Sequence, residues 1–420
     1  MHRVGAVEQF PAASLPVRRP TIALLTAGRD RPYAYGMTSA LASRVRALDV
    51  ICGDDLNVRE FREKQRIRLF VLRRDTLVGT SAASRAFNIA AYYWRLISYA
   101  WRARPRIFHI LWNNKFDIID RVLLTLYYRA LRKRIVLTAH NVNAGTRDGK
   151  DTWLNRATLK FQYRLADHIF VHTGKMKAEL SAAFGVNEAC VTVVPFGINN
   201  SLPHTNLTGA EARRRLGIGA REKTILFFGN IAPYKGLEYL IEAFGQLRAT
   251  SAEYRLIVAG QPKKGFQTYW SSIQRMVGDA PDKRGIVMKI EFVPDEETEV
   301  YFKAADVLVL PYVHIFQSGV LFLAYSFGLP VLTADVGSMK EDVIEGETGF
   351  VFAPQNSDDL AKRLREYFNS PLYKDLDVRR RWISDFANRQ YSWDALADAT
   401  CLVYDVLAST CSFEGGEEAV

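Results

Sequence analysis

Short apolar runs rich in Val, Ile and Leu alternate along this chain with longer stretches in which apolar positions recur every three or four residues. The first pattern predicts strands buried on both faces, and the second predicts helices that bury one stripe. In the first half, 21–25, 68–72, 107–111, 134–138, 168–172 and 191–194 read as strands, with helices over 119–131 and around 154–165. A polar connector at 199–208 interrupts the alternation. Beyond it Thr208 and Glu211 make a capping box for a short helix that stops near Leu216-Gly217. Strands are then expected at 224–228, 254–259, 290–293, 307–310 and 331–333, separated by helices at 237–250, 298–304, 320–327 and 357–368.

Strands that alternate with helices in this way predict an α/β fold of two doubly wound, Rossmann-like parallel sheets. The expected organisation is a leader at 1–19, one such domain at 20–200, a second at 201–370, a helical segment at 371–410 and a tail at 411–420. The helical segment is aromatic (Trp382, Tyr391, Trp393, Tyr404) and is a candidate for packing back across the domain joint. A length of 420 residues, with 48% hydrophobic and 24% charged, fits two globular domains and argues against disorder or coiled coil.

Cys52, Cys190, Cys401 and Cys411 lie far apart, which points to a reducing compartment and away from a cysteine zinc site. The first residues lack a signal-peptide apolar core, and Arg95 interrupts the longest apolar stretch, 87–101, so a cytoplasmic protein, soluble or peripheral on a membrane, is expected. The net charge of +11 is unevenly spread. Residues 1–205 carry 32 Lys and Arg against 15 Asp and Glu, a balance of +17, whereas the remainder carries 24 against 30, a balance of −6. The basic half suits an anionic surface such as lipid headgroups, nucleic acid or a phosphorylated acceptor. It also fits helices solvated by arginine.

Several chemistries lose their support. No Gly-x-Gly-x-x-Gly follows the first strand, and Gly217-Ile218-Gly219 precedes a strand instead. There is no phosphate-binding loop ending in Gly-Lys-Ser/Thr, no nucleophile elbow and no His-Glu-x-x-His. Two other stretches are informative. In Phe227-Phe228-Gly229-Asn230-Ile231-Ala232-Pro233-Tyr234-Lys235-Gly236 a strand ends in glycine and Lys235-Gly236 opens a helix, a setting that favours an anion such as a diphosphate. In Gln317-Ser318-Gly319-Val320-Leu321-Phe322 a small polar start enters an apolar helix that Gly328-Leu329-Pro330 stops. The N–H groups at Ser318, Gly319 and Val320 offer a second anion site. Each alone is compatible with an ordinary turn or a core helix; together they point to a nucleoside diphosphate.

The second half resembles the retaining glycosyltransferases of GT-B architecture, family 4 (glycosyl transferases group 1), whose two Rossmann-like domains face a cleft. The resemblance is carried by Gly229…Lys235-Gly236, Asp306-Val307-Leu308-Val309-Leu310-Pro311, Gly328-Leu329-Pro330-Val331, Asp335-Val336-Gly337…Glu341 and Ile344-Glu345-Gly346-Glu347-Thr348-Gly349-Phe350. In the first half it is weaker, through Ala139-His140-Asn141 and Val194-Pro195-Phe196-Gly197-Ile198-Asn199. It implies a nucleotide-sugar donor in the second domain and an acceptor in the first. It puts Lys235 and the residues around Ser318 to Val320 at the diphosphate and Glu341 near the donor, with Gly229, Asn230 and Gln317 beside them as further donor-binding candidates. Two positions depart from the family. Asn230 stands where an arginine is expected, and Ile315 and Leu323 stand where two glutamates would touch the donor sugar and ribose. Either the donor is held differently, through residues such as Gln317 and Ser318, or the activity is weakened.

In the first half, His140 follows the strand at 134–138 and lies at its carboxyl edge, where it could polarise the donor sugar or the attacking hydroxyl. It could also be a loop histidine bound to backbone. Asn141 and Asn143 beside it, Trp112 and Asn113, and Tyr33 and Tyr35 after the first strand are candidates for binding an acceptor. The segments 92–106 and 127–134 interleave aromatics with Arg and Lys, as a surface that docks on anionic lipid would. The expected enzyme moves a hexose to a saccharide or polyprenyl-linked acceptor in surface polysaccharide synthesis, with His140 and Lys235 catalytic. Its partners are the nucleotide sugar, the acceptor and an anionic membrane, with no nucleic acid, no metal and no cofactor. A non-catalytic nucleotide-sugar-binding scaffold and a sugar-nucleotide epimerase of the same fold remain open alternatives.

Overall fold

In the computed structural model, residues 19–28, 30–73, 81–147, 149–200, 202, 204–279 and 283–413 are described. The expected leader and tail fall largely outside them. The chain divides into two units: one holds the segment up to Gly197 together with the segment from Tyr391 onward, and the other holds Ile198–Gln390.

The first unit is built on β1 (Thr21–Leu25), β2 (Ala47–Gly53), β3 (Ile67–Arg73), β4 (Ile107–Ile110), β5 (Arg134–Thr138), β6 (His168–Val171) and β7 (Val191–Val193). Their order is β3-β2-β1-β4-β5-β6-β7, and each neighbouring pair is parallel. The strand order reverses between β1 and β4, so the carboxyl ends of these strands form a switch point where ligands commonly bind. The central strands read as continuous apolar runs because helices cover both faces. Strand β2 escapes a simple apolar pattern because it carries Asp49, whose buried carboxylate accepts from Tyr99 Oη at 2.8 Å and pairs with Arg68 at 2.6 Å. The single helix expected over 119–131 opens instead with a π turn, Ile119–Leu123, before Leu124–Ala130. The last helix, Trp393–Phe413, lies on helix Arg31–Ala42. Its Trp393 ring sits so close to Gly36 and Gly197 that a Cβ on either would approach within 2.1 and 2.4 Å of it.

The second unit repeats the plan with β8 (Lys223–Phe228), β9 (Tyr254–Ala259), β10 (Ile286–Lys289), β11 (Val307–Leu310), β12 (Val331–Ala334) and β13 (Gly349–Phe352). The order is β10-β9-β8-β11-β12-β13, again parallel, with its switch between β8 and β11. The strand expected at 290–293 lies four residues earlier, as β10. Its register with β9 ends at Lys289↔Ala259, and the following apolar residues form a loop that leaves Phe292 66% exposed before Pro294 caps helix Asp295–Ala304. Strand β13 is short and was not expected; it pairs with β12 from Gly349 to Phe352. Buried Asp306, just ahead of β11, ties the unit together. Its carboxylate accepts from Thr224 N–H at 2.8 Å and from Arg213 at 2.7 Å, and its carbonyl accepts from Tyr367 Oη at 2.6 Å.

Candidate active site

In the second unit, close backbone approaches draw the loops at the carboxyl ends of β8, β9, β11 and β12 together. Gly229 follows β8 with φ +107°, and its N–H donates to Ala259 at 2.9 Å. Gly236 has φ +62°, and a Cβ there would meet the Pro311 carbonyl at 2.0 Å, so the loop after β8 is clamped against the chain leaving β11. Val313 N–H donates to Tyr234 at 3.0 Å from the same clamp, and Ser338 N–H to Phe316 at 2.9 Å fastens the loop after β12.

Lys235 is buried in this arrangement, 7% exposed, with Nζ 3.8 Å from the centre of the Tyr312 ring. The Tyr312 hydroxyl lies 3.2 Å from Ser318 Oγ. Ser318 stands at the N-cap position of helix Gly319–Ser326 without a side-chain capping bond, and the helix has no acidic residue in its first turn. The first N–H groups of a helix have no intrahelical acceptor and carry its positive end. A Cβ on Gly229 would lie 3.7 Å from Val320 Cγ2, so the loop after β8 rests on this helix start. Gly229, Lys235, Ser318, Gly319 and Val320 are therefore brought together, and Asn230 stands exposed beside them. Gln317, one residue before Ser318, is held by Asp342. Its Nε2 donates to Asp342 Oδ2 at 3.0 Å, which leaves Oε1 buried with no donor. Glu341 is exposed, one residue from Asp342. Ile315 and Leu323 are buried, so both side chains that replace the family's glutamates are packed as apolar residues.

In the first unit a ring cluster occupies the carboxyl edge. Asp30, in the left-handed region at φ 43°, caps helix Arg31–Ala42 and accepts from Tyr33 N–H at 3.3 Å. This directs Tyr33 into the centre of the cluster. Its ring meets His140 at 4.5 Å, Trp393 at 5.1 Å, Phe196 at 5.4 Å, Trp112 at 5.6 Å and His172 at 5.7 Å, centre to centre. Trp112 stacks on His140 at 4.3 Å and 5°. Beneath them, His109 Nε2 lies 2.7 Å from Thr138 Oγ1 and Nδ1 2.6 Å from Tyr404 Oη. Asn141 is half-buried next to His140. Two other acceptor candidates are occupied. Tyr35 donates to Glu60 and packs on Phe61, while the Asn113 amide exchanges two hydrogen bonds with Gln162, at 2.8 and 2.9 Å. Asn143 is held among Asp151, Asn155 and Gly145 N–H. A cavity of about 20 Å3 beside Trp112, lined also by Tyr92 and Asp120, has room for a water molecule and little else.

The comparisons with known proteins agree with this geometry. The model of glycosyl transferases group 1 matches residues 222–370, and that of Glycosyltransferase Family 4 matches residues 31–202. The chain is a GT-B glycosyltransferase. It is 28% identical over 294 residues to a D-inositol 3-phosphate glycosyltransferase of Corynebacterium efficiens, covering 67% of this chain and 68% of that protein. It is 28% identical over 284 residues to a glycogen synthase of Mycobacterium tuberculosis, covering 64% of this chain and 62% of the relative. Among solved structures, the sucrose-phosphate synthase from Thermosynechococcus elongatus superposes with a TM-score of 0.72 at 20% identity, covering 93% of this chain and 100% of that one. Anabaena HepE in complex with UDP-glucose gives 0.70 at 16% identity, covering 93% and 99%.

In this glycosyltransferase, reading along the sequence missed His172, Tyr312 and Asp342, and it named Phe196 and Trp393 without placing them in the ring cluster. His172 had a usable signal: it leaves β6 at the carboxyl edge, as His140 leaves β5. The others are assembled by tertiary packing. Among the described residues no group of three or more His, Cys, Asp or Glu is placed to hold a metal ion.

Burial pushes His172 and His168 down to about 4, His109 down to about 3, and His140 well below its ordinary range. These rings are neutral in the fold but bind a proton near pH 6.5 once unfolded. The unfolded chain therefore gains protons first as the pH drops, and the stability these histidines hold above about pH 6.5 is lost from there down to about pH 4 for His168 and His172 and further down for His109 and His140. Thermal melts should show a Tm that is level near neutral pH and falls steeply over that window. A Tm unchanged down to about pH 5 would contradict the buried, neutral assignment.

Proposed function

We propose that this glycosyltransferase transfers a hexose, with retention, from a nucleoside-diphosphate donor held by the second unit to a saccharide or polyprenyl-linked acceptor, in the synthesis of a surface polysaccharide or glycoconjugate. The observation that carries the reading is the convergence of Lys235, the Ser318–Val320 helix start and Gly229 on one spot. Negative charge grows on the departing diphosphate as the sugar bond breaks, and a buried cation with preorganised N–H donors stabilises that charge more than it does the ground state. The glycine after β8 lets the backbone approach the phosphates. Gln317 supplies a buried acceptor oxygen for a donor hydroxyl where the usual glutamates are apolar. Glu341 stands on the same rim. In the first unit, His140 with Trp112, Tyr33 and Asn141 forms the acceptor side, the tryptophan offering a platform for a sugar ring. Structures of HepE in complex with UDP and with UDP-glucose support a uridine donor as the first to test.

Replacing Lys235 with alanine removes a charge-assisted contact of about 1.5–3 kcal/mol. Release of UDP from UDP-glucose, with GDP- and ADP-glucose run in parallel, should fall roughly 10- to 150-fold in kcat/KM. Wild-type kinetics would remove Lys235 from the site.

A second reading concerns where the enzyme works. No helix among the described residues is long and apolar enough to cross a membrane. Helix Ala82–Arg102 nevertheless leaves Phe87, Trp94 and Trp101 at 71–72% exposure. Their spacing of seven puts them on one face. Arg85, Arg95, Arg102, Arg104 and Arg106 are exposed on or just after the same helix. Phe116 is exposed just before the next helical segment and Ile118, Leu123 and Leu126 are exposed on it, and Tyr127 Oη joins that segment to Ile97 O at 3.1 Å. The neighbouring Tyr92 and Tyr93 hydroxyls are instead bound to Asn114 and Asp120. Exposed aromatics ringed by arginine favour docking on an anionic leaflet, where a polyprenyl-linked acceptor would be presented. Sedimentation with anionic vesicles should show binding that weakens with salt and is lost in Trp94→Ala/Trp101→Ala; no binding at low salt would refute it.

A further inference from the structure

His140 and His172 leave neighbouring strands, β5 and β6, and their side chains meet. The His172 Nε2 lies 3.1 Å from the His140 Nδ1, and the His172 Nδ1 lies 3.3 Å from the carbonyl oxygen of Val194, the residue after β7. These contacts decide where the protons are. A carbonyl oxygen only accepts, so the His172 Nδ1 must carry the ring proton. Burial keeps that ring neutral near pH 7, so its Nε2 is a lone pair. The proton in the contact between the rings must then come from the His140 Nδ1. Burial keeps His140 neutral too, so the Nδ1 proton is the only one its ring holds. Its Nε2 is left bare, and that atom is buried with no hydrogen-bond partner. Trp112, stacked at 4.3 Å, and Tyr33, edge-on at 4.5 Å, hold the plane of the ring, and within that plane a flip would put a carbon where Nδ1 meets His172 and lose that hydrogen bond.

We propose that His172 is a positioning residue that sets the tautomer of His140, so that His140 presents a proton-free Nε2 to the substrate. A neutral imidazole left to itself can carry its proton on either nitrogen, and the wrong choice would turn Nε2 into a donor. With His172 in place, the Val194 carbonyl dictates the choice through two rings. The group His140 receives is therefore a hydroxyl, which can donate a hydrogen bond or give up its proton; a phosphate or carboxylate oxygen cannot satisfy a bare nitrogen. The inference rests on the reading above that His140 touches substrate, but the tautomer itself is a property of the free enzyme and can be measured without one.

The test uses full-length protein labelled with 15N-histidine and long-range 1H–15N correlation near neutral pH, which reports the protonated nitrogen of each ring. Wild-type His140 and His172 should both carry the proton on Nδ1. Replacing His172 with glutamine keeps an acceptor oxygen toward His140 and a donor toward Val194, so the His140 tautomer and most of the turnover of UDP-glucose should survive. Replacing His172 with phenylalanine keeps a ring among Tyr33 and Phe196 but removes both hydrogen bonds. His140 should then shift toward the Nε2-protonated form, and kcat should fall about tenfold or more with little change in donor KM. A wild-type His140 protonated on Nε2 would overturn the proposal, as would a phenylalanine variant that keeps both tautomer and rate. If the tautomers are as described but His140→Ala turns over normally, the role of His140 at the substrate falls while its tautomer control by His172 stands.

Discussion

Parallel pairing of every strand is the constraint from which the site follows. With each register in both sheets parallel, all strand carboxyl ends in a unit emerge at one edge, and every returning helix begins there. That edge collects loops, unsatisfied helix N–H groups and positive helix ends whether or not they are used. What this chain adds is tight closure. Gly229, Gly236, Gly260 and Gly337 take positive φ values where a Cβ at the last three would run into a neighbouring backbone at about 2 Å. Only loops pulled in that closely could bury Lys235 against Tyr312 and place it beside the start of helix Gly319–Ser326.

The same edge is used in opposite electrostatic senses in the two units. In the second it concentrates positive potential: a buried lysine, a helix start free of acids and no carboxylate in the first turn. In the first it excludes charge. Burial keeps His109, His140 and His172 neutral, and the aromatic rings of Tyr33, Trp112, Phe196 and Trp393 surround them. A cationic edge suits a diphosphate that gains charge. A neutral, basic-nitrogen edge suits a hydroxyl that must give up a proton. Both are familiar requirements of sugar transfer from a nucleotide.

Much of the architecture was legible along the chain because most strands are apolar runs of four to seven residues between capped helices. The misreadings have physical causes. Asp49 disguises β2, since a buried charge in a strand makes sense only once Arg68 and Tyr99 are seen beside it. The apolar residues after Lys289 look like a strand but find no partner past Ala259. At the site, Lys235, Gly229 and the Ser318–Val320 start were readable because backbone geometry demands glycine and small residues there. Tyr35 and Asn113 misled because composition cannot say that Glu60 and Gln162 occupy their polar groups. The contacts of Tyr312 and Asp342 run across loops, which no local pattern records, whereas the place of His172 at the carboxyl end of β6 was readable and its contact with His140 was not.

On the reading proposed above, the second unit holds a nucleoside diphosphate through its pyrophosphate. Calorimetric titration of the full chain with UDP, GDP and ADP and with the matching monophosphates tests it directly. One diphosphate should bind about tenfold or more tighter than its own monophosphate, the difference expected of one charge-assisted contact. Equal affinity for the two, or no binding of any diphosphate, would contradict the account.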